Sequence, residues 1–330
     1  MTPGEPAGLL APAFGPPEAG ASPASVSEST PSDWHPYWRL LRTNSLTMAG
    51  TVLSILMFAT AIVVYLAPVV THLLLHQSLS VLPYGPNQLT EALHQSPSWA
   101  HPFGTDELGR DLFSRVLAAL PLDLGVSALI AGSALVLGGT LGLVVGYYED
   151  RKGIWRAASV AVLRVVDIFL SLPALVLALA LVASLGRGLI PAIIALQVVW
   201  WPYYVRLTRG ETLGVRRNIF ITAAEASGVS DGQVIRRHVL PNVLPALLVY
   251  FTLDLGSVIV TFSSISFLQV GPPPSIPELG SMVYLYEPLL LQYPWTVLAP
   301  GLAIVAIVTV LSLLGEGLRD LTDPRRLTSA

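Results

Sequence analysis

The sequence contains no cysteine, a single lysine and only 12% charged residues. Without cysteine, neither a disulfide framework nor a thiolate metal site can form, and cysteine usage carries no information about redox compartment. The one lysine, Lys152, is followed by Gly153, so the Gly-x-x-x-x-Gly-Lys-Ser/Thr loop whose backbone amides cradle phosphates is absent. Any use of ATP must reside in another subunit. His-Glu-x-x-His is missing as well, and the six histidines (His35, His72, His76, His94, His101, His238) never fall at metal-ligand spacing. Each is expected at a surface, an interface or a helix cap.

Apolar sequence, by contrast, is plentiful. Hydrophobic residues fill 53% of the 330 positions, too many beside so few charges for a soluble globular chain, which makes this an integral membrane protein. The net charge of -3 is less telling than where the charges lie. Residues 1–34 are rich in Pro, Ala, Gly and Ser, lack Lys and Arg, and read as a disordered tail. They have no positive n-region leading directly into an apolar core, so they do not form a signal peptide. The expected order after the tail is an N-terminal segment with a first membrane helix (35–76), an external segment (77–121), a core of five membrane helices (122–316) and a C-terminal tail (317–330).

Six stretches reach the roughly 20 residues that a bilayer requires: 47–75, 122–147, 156–185, 189–207, 242–268 and 295–315. The expected fold class is therefore an all-α polytopic membrane protein with six transmembrane helices. With the N-terminus inside, Arg39, Arg42, Arg151, Lys152, Arg156, Arg206, Arg209, Arg216, Arg217, Arg236, Arg237, Arg319, Arg325 and Arg326 all become cytoplasmic. Only Arg110, Arg115 and Arg187 stay outside, with Arg164 in a span, so the positive-inside rule puts both termini in the cytoplasm.

The longest polar, basic stretch between apolar spans covers residues 206–245. Residues 219–227 are helix-compatible, Gly228 breaks the pattern, and Ser230-Asp231-Gly232-Gln233 fits a capping box that opens a second turn. Pro241 and Pro245 mark entry into the next span, proline being best tolerated in a first helical turn. The result is an elbow at about 219–240 facing the cytoplasm.

Charges within or beside the spans are candidates for a path or gate. Arg164 and Asp167 stand at i and i+3 on the third span and can pair on one face, either as a gate element or, the favoured reading, as a structural ion pair. Asp254 is alone in the fifth span and is the better path residue, although Thr252 and Ser257 are near enough to satisfy it. Outside, Thr105 is expected to cap a helix with Asp106 and Glu107 in its first turn, i,i+4 pairs Asp106–Arg110 and Asp111–Arg115, and an apolar side of Leu108, Leu112, Phe113, Val116 and Leu117. Such a helix serves as a lid or receptor-docking element or, more simply, as an interfacial lead into the second span. Gly138, Gly139, Gly142 and Gly146 form a small-residue stripe that implies close helix packing and is weak as a dimer motif.

These residues also carry a resemblance. Ala223-Ala224-Glu225-Ala226-Ser227-Gly228-Val229-Ser230-Asp231, with Arg237-His238-Val239-Leu240-Pro241-Asn242 after it, resembles the cytoplasmic signature of ABC importer permeases. His101-Pro102-Phe103-Gly104-Thr105-Asp106-Glu107-Leu108-Gly109-Arg110-Asp111, Arg164-Val165-Val166-Asp167, Leu172-Pro173 and Gly315-Glu316-Gly317-Leu318-Arg319-Asp320 with Asp323-Pro324-Arg325 are similar to one branch, the second permease of dipeptide, oligopeptide or nickel importers. The resemblance spans about residues 35–326. It implies a type I permease fold in the cytoplasmic (inner) membrane, paired with a related permease, two ATP-binding cassette ATPases that carry ATP and Mg, and an extracytoplasmic solute-binding protein. No cofactor is expected on this chain, nor nucleic acid among its partners.

By the same resemblance Ala223, Ala224, Glu225, Gly228, Ser230, Asp231, Leu240 and Pro241 couple to the ATPase through the elbow. The signature usually begins with Glu where this chain has Thr222, so the acidic contact is either lost or supplied by Glu225 a helical turn later. The proline-rich stretch 270–277 matches the branch in character only. A secondary transporter or channel is the alternative, disfavoured because no convincing internal repeat is present. A membrane enzyme ranks last, there being no grouped nucleophile, base or metal ligands.

Overall fold

The computed structural model describes residues 45–76 and 80–322. The expected tail at 1–34, Arg39, Arg42 and the last residues from 323 lie outside the described residues. Long apolar runs form the helices α1 (Ser45–Leu75), α2 (Leu112–Tyr148), α5 (Leu189–Arg216), α8 (Leu240–Phe267) and α10 (Pro294–Thr322). Between them lie α3 (Ile154–Leu170), α4 (Ala174–Leu185), the short α6 (Ile219–Ala226) and α7 (Asp231–Val234), and α9 (Leu279–Tyr286). No strand occurs among the described residues, apart from one isolated bridge between Thr105 and Asp111. Among the described residues five helices are long and apolar enough to cross a membrane, and α3 with α4 counts as a sixth span when the bent pair is taken together.

That pair is bent at a break, which corrects the expectation of one continuous helix over 156–185. α3 and α4 meet at 88°. Pro173 lacks the amide that would continue the ladder and disfavours helical backbone at Leu172, so α3 stops at its Ser171 cap and α4 starts again at Ala174.

The core is α2 packed along α5, with α8 and α10 closing one side and α1 lying on α10. Glycines set the closeness of α2 and α5. A Cβ on Gly142 would stand 2.5 Å from the Val205 carbonyl oxygen, Gly138 meets the Trp201 carbonyl in the same way, and Gly146 meets the Thr212 side chain at 2.9 Å. The small-residue stripe is thus an internal helix seam.

The expected helix from Thr105 does not form, and α2 begins only at Leu112. Residues 105–111 instead make a tight turn around Asp106, whose Oδ1 accepts the amides of Leu108 (2.9 Å) and Arg110 (2.8 Å). Its Oδ2 accepts Arg110 Nε (2.6 Å) and the Tyr286 hydroxyl (2.8 Å), so the Asp106–Arg110 pair holds in a turn geometry. Asp111 pairs with His101 (2.9 Å) rather than Arg115, and its second oxygen caps α2 at the Ser114 amide (2.8 Å). Arg115 is fully buried and donates to the Pro86 carbonyl and Asn87 side chain. His101, expected at a surface, an interface or a helix cap, is buried against Tyr84.

The α9 start is held similarly. Glu278 accepts the Gly280 and Ser281 amides (2.9 and 2.6 Å), and Asp123 of α2 accepts that of Leu279 (3.3 Å). Burial pushes the Glu278 carboxyl above the usual carboxylate range.

Candidate coupling elbow and membrane-embedded acid

The elbow forms where expected, at the end of the molecule rich in arginine. α6 runs from Ile219 to Ala226 and stops at Gly228, whose φ of 78° suits a residue without Cβ. Ser230 occupies the N-cap position of α7, but the capping box does not close. Its hydroxyl caps no backbone amide and lies 3.5 Å from Gln233 Oε1, while the Ser230 carbonyl accepts the Gln233 amide. A π turn over Ile235–Val239 then leads into α8, where Pro241 sits in the first turn as expected and Pro245 lies further inside. Such π segments are common at functional sites.

The faces of α6 divide the residues expected to couple. Ile221 is buried, and with Val234, Val239 and Val243 it packs against Leu143 and Tyr147 of α2. Ala224 and Glu225 are half-buried on the same side, whereas Phe220, Thr222, Ala223, Ser227 and Gly228 are exposed. Leu240 and Pro241 are exposed at the start of α8.

Glu225 therefore points inward. The Tyr147 hydroxyl, on the last turn of α2, donates to Glu225 Oε1 (2.9 Å) and shares its proton with Asp231 Oδ1 (3.1 Å). Arg151 donates to the same Asp231 oxygen (2.8 Å) and lies 3.6 Å from Glu225. Arg216, at the end of α5, stands over the Tyr147 ring at 5.1 Å. Beside it Arg209 forms a two-pronged pair with Glu149 (2.6 and 2.7 Å). Both limbs of the elbow are thereby latched to the shared end of α2 and α5.

Asp254 sits near the middle of α8. Its Oδ2 accepts Trp200 Nε1 (2.6 Å) and the Tyr204 hydroxyl (3.1 Å), both from α5. Thr252 is not its partner and bonds back to the Leu248 carbonyl. Asp167 pairs with Arg206 of α5 (2.6 Å) rather than with Arg164, which is exposed and without an ion pair among the described residues. The expected intrahelical pair is replaced by one between helices. Both members are half-exposed, so this tie contributes little stability.

Residues 115–328 match the family described as binding-protein-dependent transport system inner membrane component. The dipeptide transport system permease protein DppC of Alkalihalophilus pseudofirmus is 35% identical over 94% of this chain and 95% of its own length. The glutathione transport system permease protein GsiD of Escherichia coli is 36% identical over 92% of this chain and 95% of its own. The chain belongs to this permease family. A solved inward-facing structure of the MetNI methionine ABC transporter shares the fold, with a TM-score of 0.53 at 23% identity over 64% of this chain and 96% of that one.

Asp106, Arg110 and Asp111 of the permease are buried among protein groups, which makes them architectural rather than ligand-facing. Tyr147, Arg151, Trp200 and Tyr204 were not singled out by sequence reasoning. An aromatic residue at the end of an apolar run reads as an interfacial anchor. Only the fold, which brings Tyr147 to Glu225 across 78 positions, shows otherwise.

Proposed function

We propose that this permease is the second membrane subunit of an ABC importer for peptides or a related small solute, and that its elbow receives an ATPase. Its partners on this reading are a paralogous permease, two ATPases and an extracytoplasmic solute-binding protein. The relatives named for dipeptide and glutathione transport support the solute class. The observation that carries the reading is the outward face of α6, where Ile219 and Phe220 are 86% and 44% exposed beside Ala223 and Gly228. Two large apolar side chains at the arginine-rich end of a membrane protein suit burial against a partner. Glu225, turned inward, acts as an internal latch on this reading, and Thr222 takes its place on the docking face.

Co-purification with the ATPase subunits tests this. The wild-type permease should retain them, and the Ile219→Asp/Phe220→Asp variant should lose them while inserting normally. Equal recovery from both would overturn the reading.

On the same reading the arginine-rich end lies in the cytoplasm with both termini, and the proline-rich 270–277 loop lies outside. Single cysteines at Gly232 and Pro274, introduced into this cysteine-free chain, report the orientation. An impermeant thiol reagent applied to intact cells should label Pro274→Cys and spare Gly232→Cys. The opposite pattern would invert the topology.

A further inference from the structure

The cavity beside Asp254 has a chemistry of its own. It is an open cavity of about 500 Å³ lined by Trp200, Tyr203 and Tyr204 of α5 and Tyr250, Asp254 and Ser257 of α8, with Leu207, Leu253 and Ala174 completing the wall. The volume falls within the range, roughly 300–1,000 Å³, of pockets that take small molecules. No arginine or lysine lines it.

Three observations converge on a cationic occupant. An acid halfway along a membrane helix is costly and serves a path or partner by default. Both protein donors converge on one oxygen, Oδ2, while Oδ1 receives no hydrogen bond among the described residues. An amide in this place would accept the same two hydrogen bonds, so these two contacts by themselves do not call for an acid. Around the carboxylate stand four aromatic rings, and Tyr203 and Tyr250 are 47% and 44% exposed. A carboxylate in an aromatic-lined cavity is an arrangement that attracts ammonium groups.

We infer that Asp254 and its surrounding rings receive the protonated amino group of the solute during passage. This rests on the peptide-importer reading and names the solute group that meets the path. Oδ1 accepts the ammonium hydrogen bonds while Trp200 and Tyr204 hold the carboxylate by Oδ2. No bond to the solute is made or broken.

The test uses the complete importer in proteoliposomes, with radiolabelled dialanine as the probe and ATP hydrolysis followed in parallel. Asp254→Asn should reduce uptake roughly tenfold or more, the scale of a hydrogen bond to a charged group. Hydrolysis stimulated by the loaded binding protein should persist. Asp254→Glu, which keeps the charge and alters the length, should retain most uptake. The reverse ranking, Asn transporting and Glu failing, would show a purely structural tie between α5 and α8 and overturn the inference. So would Asp254→Asn with wild-type uptake, or one unable to assemble, since the amide preserves both hydrogen bonds. Where the wild type takes up glutathione and not dialanine, the same variants are compared with glutathione, and uptake of neither would instead sink the peptide reading itself, and this inference with it.

Discussion

Asp106→Ala is expected to leave little folded permease in the membrane. Asp106 is fully buried and its two oxygens accept four hydrogen bonds, which tie the turn to Arg110 and to Tyr286 at the end of α9. Alanine strands the Arg110 guanidinium, itself only 7% exposed, without its counter-charge. Breaking a buried pair in this way costs about 3–5 kcal/mol, a large share of a typical total stability of about 5–15 kcal/mol. The checks are the amount of protein in isolated membranes and the thermal midpoint in detergent. Asp106→Asn, which keeps an acceptor, should fall between the two. A wild-type yield and midpoint for Asp106→Ala would show that the turn holds without its acid.

Freeing the elbow from α2 is expected to uncouple hydrolysis from transport. Tyr147→Phe keeps the ring against Arg216 and removes only the hydroxyl that joins Glu225 and Asp231. Both carboxylates are about one-third exposed and can be rehydrated, so the loss is discounted to about 1 kcal/mol, roughly fivefold in the latched population. Adding Arg151→Ala removes the second tie and should carry the loss beyond about tenfold. ATP hydrolysed per solute delivered, measured in the reconstituted importer, should rise in that order. An unchanged ratio in the double variant would show that Ile221 and Val234 seat the elbow without the polar latch.

The membrane helices were legible because an apolar run of bilayer length leaves few alternatives. The break at Pro173 was not, since both halves are apolar and together pass the length requirement as one span. In the 105–111 turn the sequence offers good helix-start chemistry, yet the Asp106 side chain satisfies the Leu108 and Arg110 amides locally and competes with the helix. Gly109, at φ 74°, completes the turn. Arg164 and Asp167 share a helix face, but Arg206 arrives from α5 with a better-placed guanidinium, a pairing that spacing within one helix cannot reveal. The elbow was readable from Gly228 and its prolines. The direction of Glu225 was not, because it depends on where α2 ends.

The length of α2 carries one more consequence. Its 37 residues extend roughly 55 Å at 1.5 Å per residue, against about 40–45 Å for a bilayer with its headgroups. Its apolar run covers 122–147, so the surplus of about 10 Å lies at the Asp106 end, and the elbow, fastened to the last turn, sits at the level of the headgroups, where a docked protein meets lipid as well as permease.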